Sequence, residues 1–485
     1  MAPEKLTTKE NDDVSTYSVD EAFVKTGFGK YQWLFLFYAG MGWVSEAMEM
    51  MLLSFVGTAV KNKWNLSSQQ ESLLSTFVFV GMLVGALTWG IVSDNFGRRT
   101  AILFSATVIA VAGLVTTFSP NYTVLVLARA FVGVGAGGGH VVLSWFLEFV
   151  PAPNRGKWMV VFSVFWSIGA IFEAGVAWIV MPRLGWRWLT GLSCIPSFII
   201  LLFYPWTHES PRYLCSKGRN QKAIKVLQAV ARLNGEELPT GVLVTDNQHL
   251  PSTDEEGQKS ASQKTVSVFR LVIALLSPKL AWTSIVLWFT FFVNAFSYYG
   301  LVLLTTELNK KGGACSKSSD SSSKSGDVIY RDVFITTLAE APGLLIAALI
   351  IDKLGRKIST SALLFLTCVF MIPLLFHGSR AVRLISLFGS RAFITGSFAV
   401  VYIYTPELYP TVVRSTALGV SSSIGRVGGM VCPQVAVGLV ESCHLTAAIV
   451  LFVGVIFASA LCVLFLPKET KGRKLADGLN SSQSD

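Results

Sequence analysis

Several ionisable or hydrogen-bonding side chains stand inside stretches that are otherwise apolar. Glu46 and Glu49 are three residues apart, on one face of a helix. Glu173 sits within SIGAIFEAGVAW. Asn294 and Tyr298 are four apart, with Tyr299 beside them; Glu340, Tyr402, Arg426 and Gln434 follow. Such groups are costly in apolar surroundings, and an ion, a proton or a permanent partner has to compensate them. A guanidinium stays protonated and grips a carboxylate through two parallel hydrogen bonds, so Arg426 suits a small organic anion. Tyr298, Phe172 and Trp166 would then offer flat faces to an aromatic acid. The alternative for Arg426 is a permanent pair with Glu340 or Glu46. The four glutamates suit an organic cation instead, with tyrosines adding cation–π contacts. One of them could carry a coupling proton, or each could be structurally paired.

Other chemistry finds no support. No nucleophile–base arrangement, His/Cys metal cluster or Walker sequence is visible. GVGAGGG (Gly133–Gly139) lies within an apolar run with no preceding strand, and reads as close helix packing. We therefore expect no enzyme activity, no metal, no nucleotide, no nucleic acid, and no cofactor beyond a coupling proton.

The elements that hold these side chains follow from composition. Of 485 residues, 52% are hydrophobic and 14% charged, with mean hydropathy +0.54; an ordinary soluble protein is about 25% charged. A soluble enzyme, a nucleic-acid binder and a disordered scaffold are excluded. Twelve apolar segments are expected, near 31–57, 71–93, 101–118, 123–148, 158–181, 188–206, 281–305, 332–351, 359–377, 383–405, 417–440 and 445–466. Each can cross a hydrocarbon core about 30 Å thick, and backbone in lipid must satisfy its own hydrogen bonds, which makes these helices. The fold class is an all-α membrane protein, two pseudo-symmetric six-helix bundles at 31–206 and 281–466. An N-terminal segment (1–30), a linker (207–280) and a tail (467–485) lie outside the bilayer. The linker holds a helical stretch at Arg219–Leu233 and a polar stretch at 246–265 that reads as disordered. No cleavable signal peptide is visible.

The chain repeats itself. Asp94 and Asp352 are 258 residues apart, Arg129 and Arg391 262, and the pairs Glu148/Glu407 and Arg155/Arg414 each 259. Parallel repeats of this kind place a substrate between the halves and alternate its access. The 40 lysines and arginines concentrate on the side that carries both termini, which is therefore cytosolic. That side also carries a second set of charges: Asp94, Arg98, Arg99, Glu148, Arg155, Glu209, Arg212, Asp352, Arg356, Glu407, Arg414 and Glu469. Carboxylate–guanidinium pairs at helix ends could close a gate between the halves in one state and break in the other, or act as static staples.

Asp-x-x-Gly-Arg-[Arg/Lys] at Asp94–Arg99 and Asp352–Lys357 resembles the signature loop of the major facilitator superfamily. HESPRYL (His208–Leu214), PELYPTVVRS (Pro406–Ser415) and PKETKGR (Pro467–Arg473) resemble its sugar and organic-ion porters. YAGMGWVSEAMEMMLLSFVG (Tyr38–Gly57), NAFSYYGLVLLTTEL (Asn294–Leu308) and IGRVGGMVCP (Ile424–Pro433) are similar to the organic-ion group, including its plant members and those like synaptic-vesicle proteins. The resemblance implies a multi-pass transporter of a small organic ion, with the second charge set as gate elements; we expect a monomer in the plasma membrane. In that group an Arg before Gly-Gly-x-x-x-Pro accompanies anion carriers, and here it is Arg426. Nicotinate or a related aromatic monocarboxylate is the leading expectation. An organic cation/carnitine carrier is the alternative, and a non-transporting membrane sensor on the same scaffold is a third reading. The loop between the first two spans, near 58–70, is short where animal members of the group carry a long one.

Cys315 and Cys443 both fall on the outer side, where a disulfide is chemically permitted. Asn65-Leu-Ser and Asn121-Tyr-Thr are outer acceptor sequences for N-glycan.

Overall fold

The computed structural model describes residues 16–151, 155–244, 273–278, 280–310, 326–376, 379–409, 413–440, 444–467 and 469–470. Cys315, Cys443, the polar stretch 246–265 and nearly all of the tail lie outside these residues.

Eleven helices among the described residues are long and apolar enough to cross a membrane. In the first half the spans are Lys30–Trp64, Ser68–Phe96, Arg98–Phe118, Tyr122–Leu147, Lys157–Val180 and Trp186–Trp206. In the second they are Ala281–Leu308, Val328–Leu354, Arg356–Leu375, Arg380–Leu408 and Leu445–Leu464. The twelfth expected segment is also helical, Arg414–Pro433, continued by a π-helical turn at Gln434–Leu439. It is the least apolar because it is rich in Ser and Gly and carries Arg426. The first helix runs past its apolar stretch to Trp64, capped by Asn65 in the left-handed region (φ 51°), and the second begins at Ser68. The loop expected near 58–70 is therefore only residues 65–67, because polar residues extend both helices beyond the apolar core.

Small residues let backbones approach closely. A Cβ on Gly81, Gly85 or Gly133 would overlap a backbone carbonyl oxygen of the facing helix, so spans two and four pack backbone to backbone. Breaks fall beside the buried charges. Span four is interrupted at Gly137–Gly138, and span eight at Ala339, directly before Glu340. Broken helices at mid-membrane depth are where ion and substrate sites form.

Both described chain ends lie on the face that carries the two Asp-x-x-Gly-Arg loops, the motif face. Helix Val19–Thr26, closed by a Ser18–Glu21 capping box, docks there. Thr16–Tyr17 pairs in parallel with Val242–Leu243. The helical stretch expected at Arg219–Leu233 is found at Asn220–Asn234, and Asn234 ties it to the first span through the backbone N–H of Tyr31.

The halves meet through spans two and eleven and spans five and eight. One apolar core runs through both halves: within the second half it reaches Tyr409 and Leu466 near the motif face, and opposite the motif loops it joins Phe55 and Phe79 to Val293, Leu301 and Val437. There Ser72 and Thr76 donate to the carbonyls of Pro433 and Met430, both at 3.2 Å. On the motif face the first half has its own core, from Tyr17 through Trp145 to Val230, which includes no residue of the second half. The halves are thus sealed on one face and separately packed on the other.

Candidate functional site

The motif face is built from two matching capping rings. Gly97 has φ +103° and Gly355 φ +88°, conformations that side chains with a Cβ rarely adopt. Each glycine starts a helix whose first amides are free donors. Glu209 accepts the backbone N–H groups of Arg98 (3.0 Å) and Arg99 (3.2 Å). Glu469 accepts those of Arg356 (2.8 Å) and Lys357 (3.0 Å). The Arg98 side chain reaches Asp94 at 3.2 Å and Glu148 at 3.1 Å. Arg356 reaches Asp352 at 3.5 Å and Glu407 at 3.0 Å. Every one of these partners belongs to the same half as its arginine. The expectation that such pairs bridge the halves does not describe this state; each ring is closed within its own bundle, with Asp94 and Asp352 pointing mostly into open space. Burial pushes the Glu209 carboxyl above its ordinary value, against the pull of the Ser210, Arg99 and Arg98 amides. Arg155 and Arg212 instead converge on Asp20 of the N-terminal helix. Burial, together with the Arg212 charge, lowers Arg155 from its ordinary value. Arg414, the repeat mate of Arg155, donates to the Tyr409 carbonyl.

At mid-depth the charges form three groups. In the first, Arg129 donates to Glu49 at 2.6 Å, with both side chains buried. Glu173 lies nearby, its carboxyl group against Ser193 Oγ at 2.8 and 2.9 Å. In the second, Trp166 donates to the Tyr298 hydroxyl (2.9 Å), Tyr298 to Glu340 (2.7 Å), and Arg391 to the same Glu340 oxygen (2.8 Å). Trp166 belongs to the first half and the other three to the second. Arg391 also reaches the Met51 sulfur at 3.1 Å.

The third group lies between the halves. Glu46, Tyr299 and Tyr402 gather around Arg426, with His140 beside it. Gly139 makes room for Glu46, since a Cβ there would overlap its carboxylate. Arg426 makes no ion pair among the described residues, and its Nε is buried without a hydrogen-bond partner. The expected pairing of Arg426 with Glu340 is replaced by Arg391–Glu340. A cavity of about 20 Å³ beside Glu46 admits nothing larger than water.

Other expected residues stand apart. Asn294 bonds within its own helix to Thr290. Phe172 is 58% exposed and makes no ring contact among the described residues. Gln434 is exposed at the start of the π-turn. Asn65 and Asn121 are both exposed; Asn121 spends its side-chain oxygen capping span four. Sequence reading missed Arg129 and Arg391 as site residues. The available signal was that an arginine inside a span demands an acid, and four acids were in view.

A family model described as sugar (and other) transporter matches residues 31–478. The chain belongs to that family. It is a multi-pass membrane transporter with the major facilitator fold, as its resemblance implied. It is 53% identical to organic cation/carnitine transporter 7 of Arabidopsis thaliana over 97% of this chain and 98% of that one. It is 39% identical to the synaptic vesicle 2-related protein of Bos taurus over 95% and 83%. Among solved structures, the xylose transporter XylE from E. coli in a partially occluded inward open conformation matches with TM-score 0.70 at 16% identity, over 90% of this chain and all of that one. At that identity the likeness speaks for the fold alone. The name of the Arabidopsis thaliana relative matches the organic cation/carnitine alternative rather than the nicotinate expectation.

Proposed function

We propose that this transporter moves a small carboxylate-bearing organic ion by alternating access, with Arg426 holding the carboxylate. The observation that carries the reading is the difference among the three arginines at mid-depth. Arg129 and Arg391 are satisfied by Glu49 and Glu340, whereas Arg426 faces the space between the halves with no carboxylate bound to it. A zwitterion such as carnitine satisfies this group best. Its carboxylate would pair with Arg426, and its quaternary ammonium would lie near Glu46 and the faces of Tyr299 and Tyr402. The name of the Arabidopsis relative points the same way. Nicotinate is the second reading; it would use Arg426 and the aromatic faces and leave Glu46 idle.

The core joined opposite the motif loops supports an inward-facing reading, with the motif face taken as cytosolic on the distribution of basic residues. In the outward-facing state the two capping rings would approach each other. We place the protein in the plasma membrane as a monomer with both termini cytosolic.

The test is uptake by the purified protein in liposomes. Labelled carnitine, nicotinate and choline separate a zwitterion site from an anion site and a cation site. Carnitine uptake well above choline uptake is expected. Choline uptake equal to carnitine uptake would remove the role of Arg426.

A further inference from the structure

We infer that Glu173 and Ser193 form a proton-binding site inside the first bundle, and that the proton held there is the one whose movement drives transport. This rests on the transporter reading above and goes beyond it by naming where the driving ion binds.

Counting hydrogens gives the first argument. Ser193 Oγ lies 2.8 Å from Glu173 Oε1, 2.9 Å from Oε2 and 2.8 Å from the Leu189 carbonyl oxygen. A serine hydroxyl has one hydrogen to give and can accept another. With Glu173 protonated, its O–H donates to Ser193 Oγ and the Ser193 hydrogen goes to Leu189. Every hydrogen then has an acceptor. With Glu173 ionised, a fully buried carboxylate has one neutral hydroxyl as its partner and no cation of its own, a state that burial strongly disfavours.

Counting charges gives the second. Spans one, four, five and six bring Glu49, Arg129 and Glu173 together, two acids around one guanidinium. Arg129 is committed to Glu49, through Oε2 and through the backbone carbonyl. The second carboxyl balances only by holding a proton. The other titratable group facing Glu173 is Cys194, whose thiol donates to the Thr190 carbonyl. From span eight the neighbour is Phe334, which sits 3.3 Å from where a Gly175 Cβ would be.

A third observation concerns the neighbouring carboxylate. Glu49 Oε1 is fully buried with no hydrogen-bond partner. It lies on the Cys194 side of the pair: a Cβ on Gly113 would overlap Cys194 Sγ and stand 3.8 Å from Glu49 Oε1. The free oxygen is therefore turned toward the helix that bears Ser193. When the site empties, the Glu173 O–H bond breaks and an O–H bond forms on a water molecule, giving hydronium, and Ser193 turns its hydrogen from Leu189 to the carboxylate. Arg129 then stands between two carboxylates instead of one.

The site can be read without any substrate. In infrared spectra of the reconstituted protein titrated with pH, the C=O stretch of a buried protonated carboxyl is expected at neutral pH. The Glu173→Gln variant should lose that band, and Ser193→Ala should move it, because the carboxyl loses its partner. A wild-type spectrum with no such band, or a band that survives in Glu173→Gln, overturns the proposal. Transport gives the second readout. Carnitine counterflow in liposomes should change with pH in the wild type, and that dependence should vanish in Glu173→Gln. Counterflow that is equally pH-dependent in both overturns the proton site while leaving the transporter reading intact. Absence of counterflow with carnitine and nicotinate alike would instead count against the substrate reading, with the infrared result still deciding the proton site.

Discussion

Arg129 and Glu49 meet at 2.6 Å with neither side chain more than 1% exposed. The repeat preserves the arginine and not its partner. Arg391, the mate of Arg129, takes Glu340 from span eight of the second half, where the first half uses span one. The two pairs hold different seams. Arg129–Glu49 closes the first bundle on itself. Arg391–Glu340 is tied through Tyr298 to Trp166 across the boundary between bundles.

Breaking a buried pair from one side leaves an uncompensated charge, at about 3–5 kcal/mol. Arg129→Met should therefore lower the thermal unfolding temperature sharply in detergent. Combining it with Glu49→Gln should restore most of the loss, because no stranded carboxylate remains. A double variant as unstable as the single one would show that packing, rather than charge, sets the cost.

Arg426 should behave in the opposite way. It bonds no carboxylate directly, although Glu46 lies within reach of its charge, so Arg426→Ala should cost clearly less stability than Arg129→Met. Carnitine uptake should fall by at least tenfold, the loss of one charge-assisted pair at about 1.5–3 kcal/mol. Arg426→Lys should recover part of it, since an ammonium keeps the charge without the two-pronged geometry. Stability is read by thermal shift and uptake in liposomes. An Arg426→Ala protein that is unstable yet transports normally once folded would make this residue structural.

Much of this was legible in the sequence. The spans follow from apolar length, and the repeat offset alone sets Asp94, Glu148 and Arg155 against Asp352, Glu407 and Arg414. Glu209 and Glu469 are separated by 260 residues, and their matched capping of Arg98–Arg99 and Arg356–Lys357 could have been read from the same offset. The pairing of acids with arginines could not. Glu340 faces Arg391 rather than Arg426 because spans eight and ten are neighbours, and neighbourhood among twelve helices leaves no one-dimensional trace. Helix lengths also escaped, since Lys61 and Lys63 extend the first helix past its apolar core.

The motif glycines are a sharper test of the capping rings. Gly97→Ala forces a positive φ on a residue with a Cβ, which costs about 1–3 kcal/mol, and that Cβ would overlap Glu209 Oε2. Gly355→Ala brings a Cβ to 2.6 Å from Glu469 Cδ. Each variant should expel its glutamate, freeing two helix amides. Both should lower the unfolding temperature. Faster hydrogen exchange should appear at residues 98–100 in the first variant and 356–358 in the second, each confined to its own half. Exchange that rises in both halves together would mean the rings are linked in this state.

His208 gives a pH dependence of known sign. Its ring sits beside the Tyr31 hydroxyl at 3.3 Å. Burial, and then the Arg99 charge, push its pKa below the ordinary 6.5. The folded protein therefore accommodates the neutral imidazole, while the unfolded chain takes up a proton more readily. Below 6.5 the unfolded state binds more protons, so stability rises with pH across that window and falls as acid is added. The contribution is complete above 6.5 and is lost as the pH drops toward the lowered folded value. Adjacent Glu209 works against it: its raised pKa makes the folded state hold a proton longer, which favours the fold as pH falls. Subtracting a variant separates the two. His208→Gln should unfold at a temperature that declines less steeply between pH 6.5 and 5 than the wild type does, with the curves parallel above pH 7. Parallel curves throughout would mean that His208 keeps its ordinary proton affinity in the fold, and that Arg99 does not bear on it.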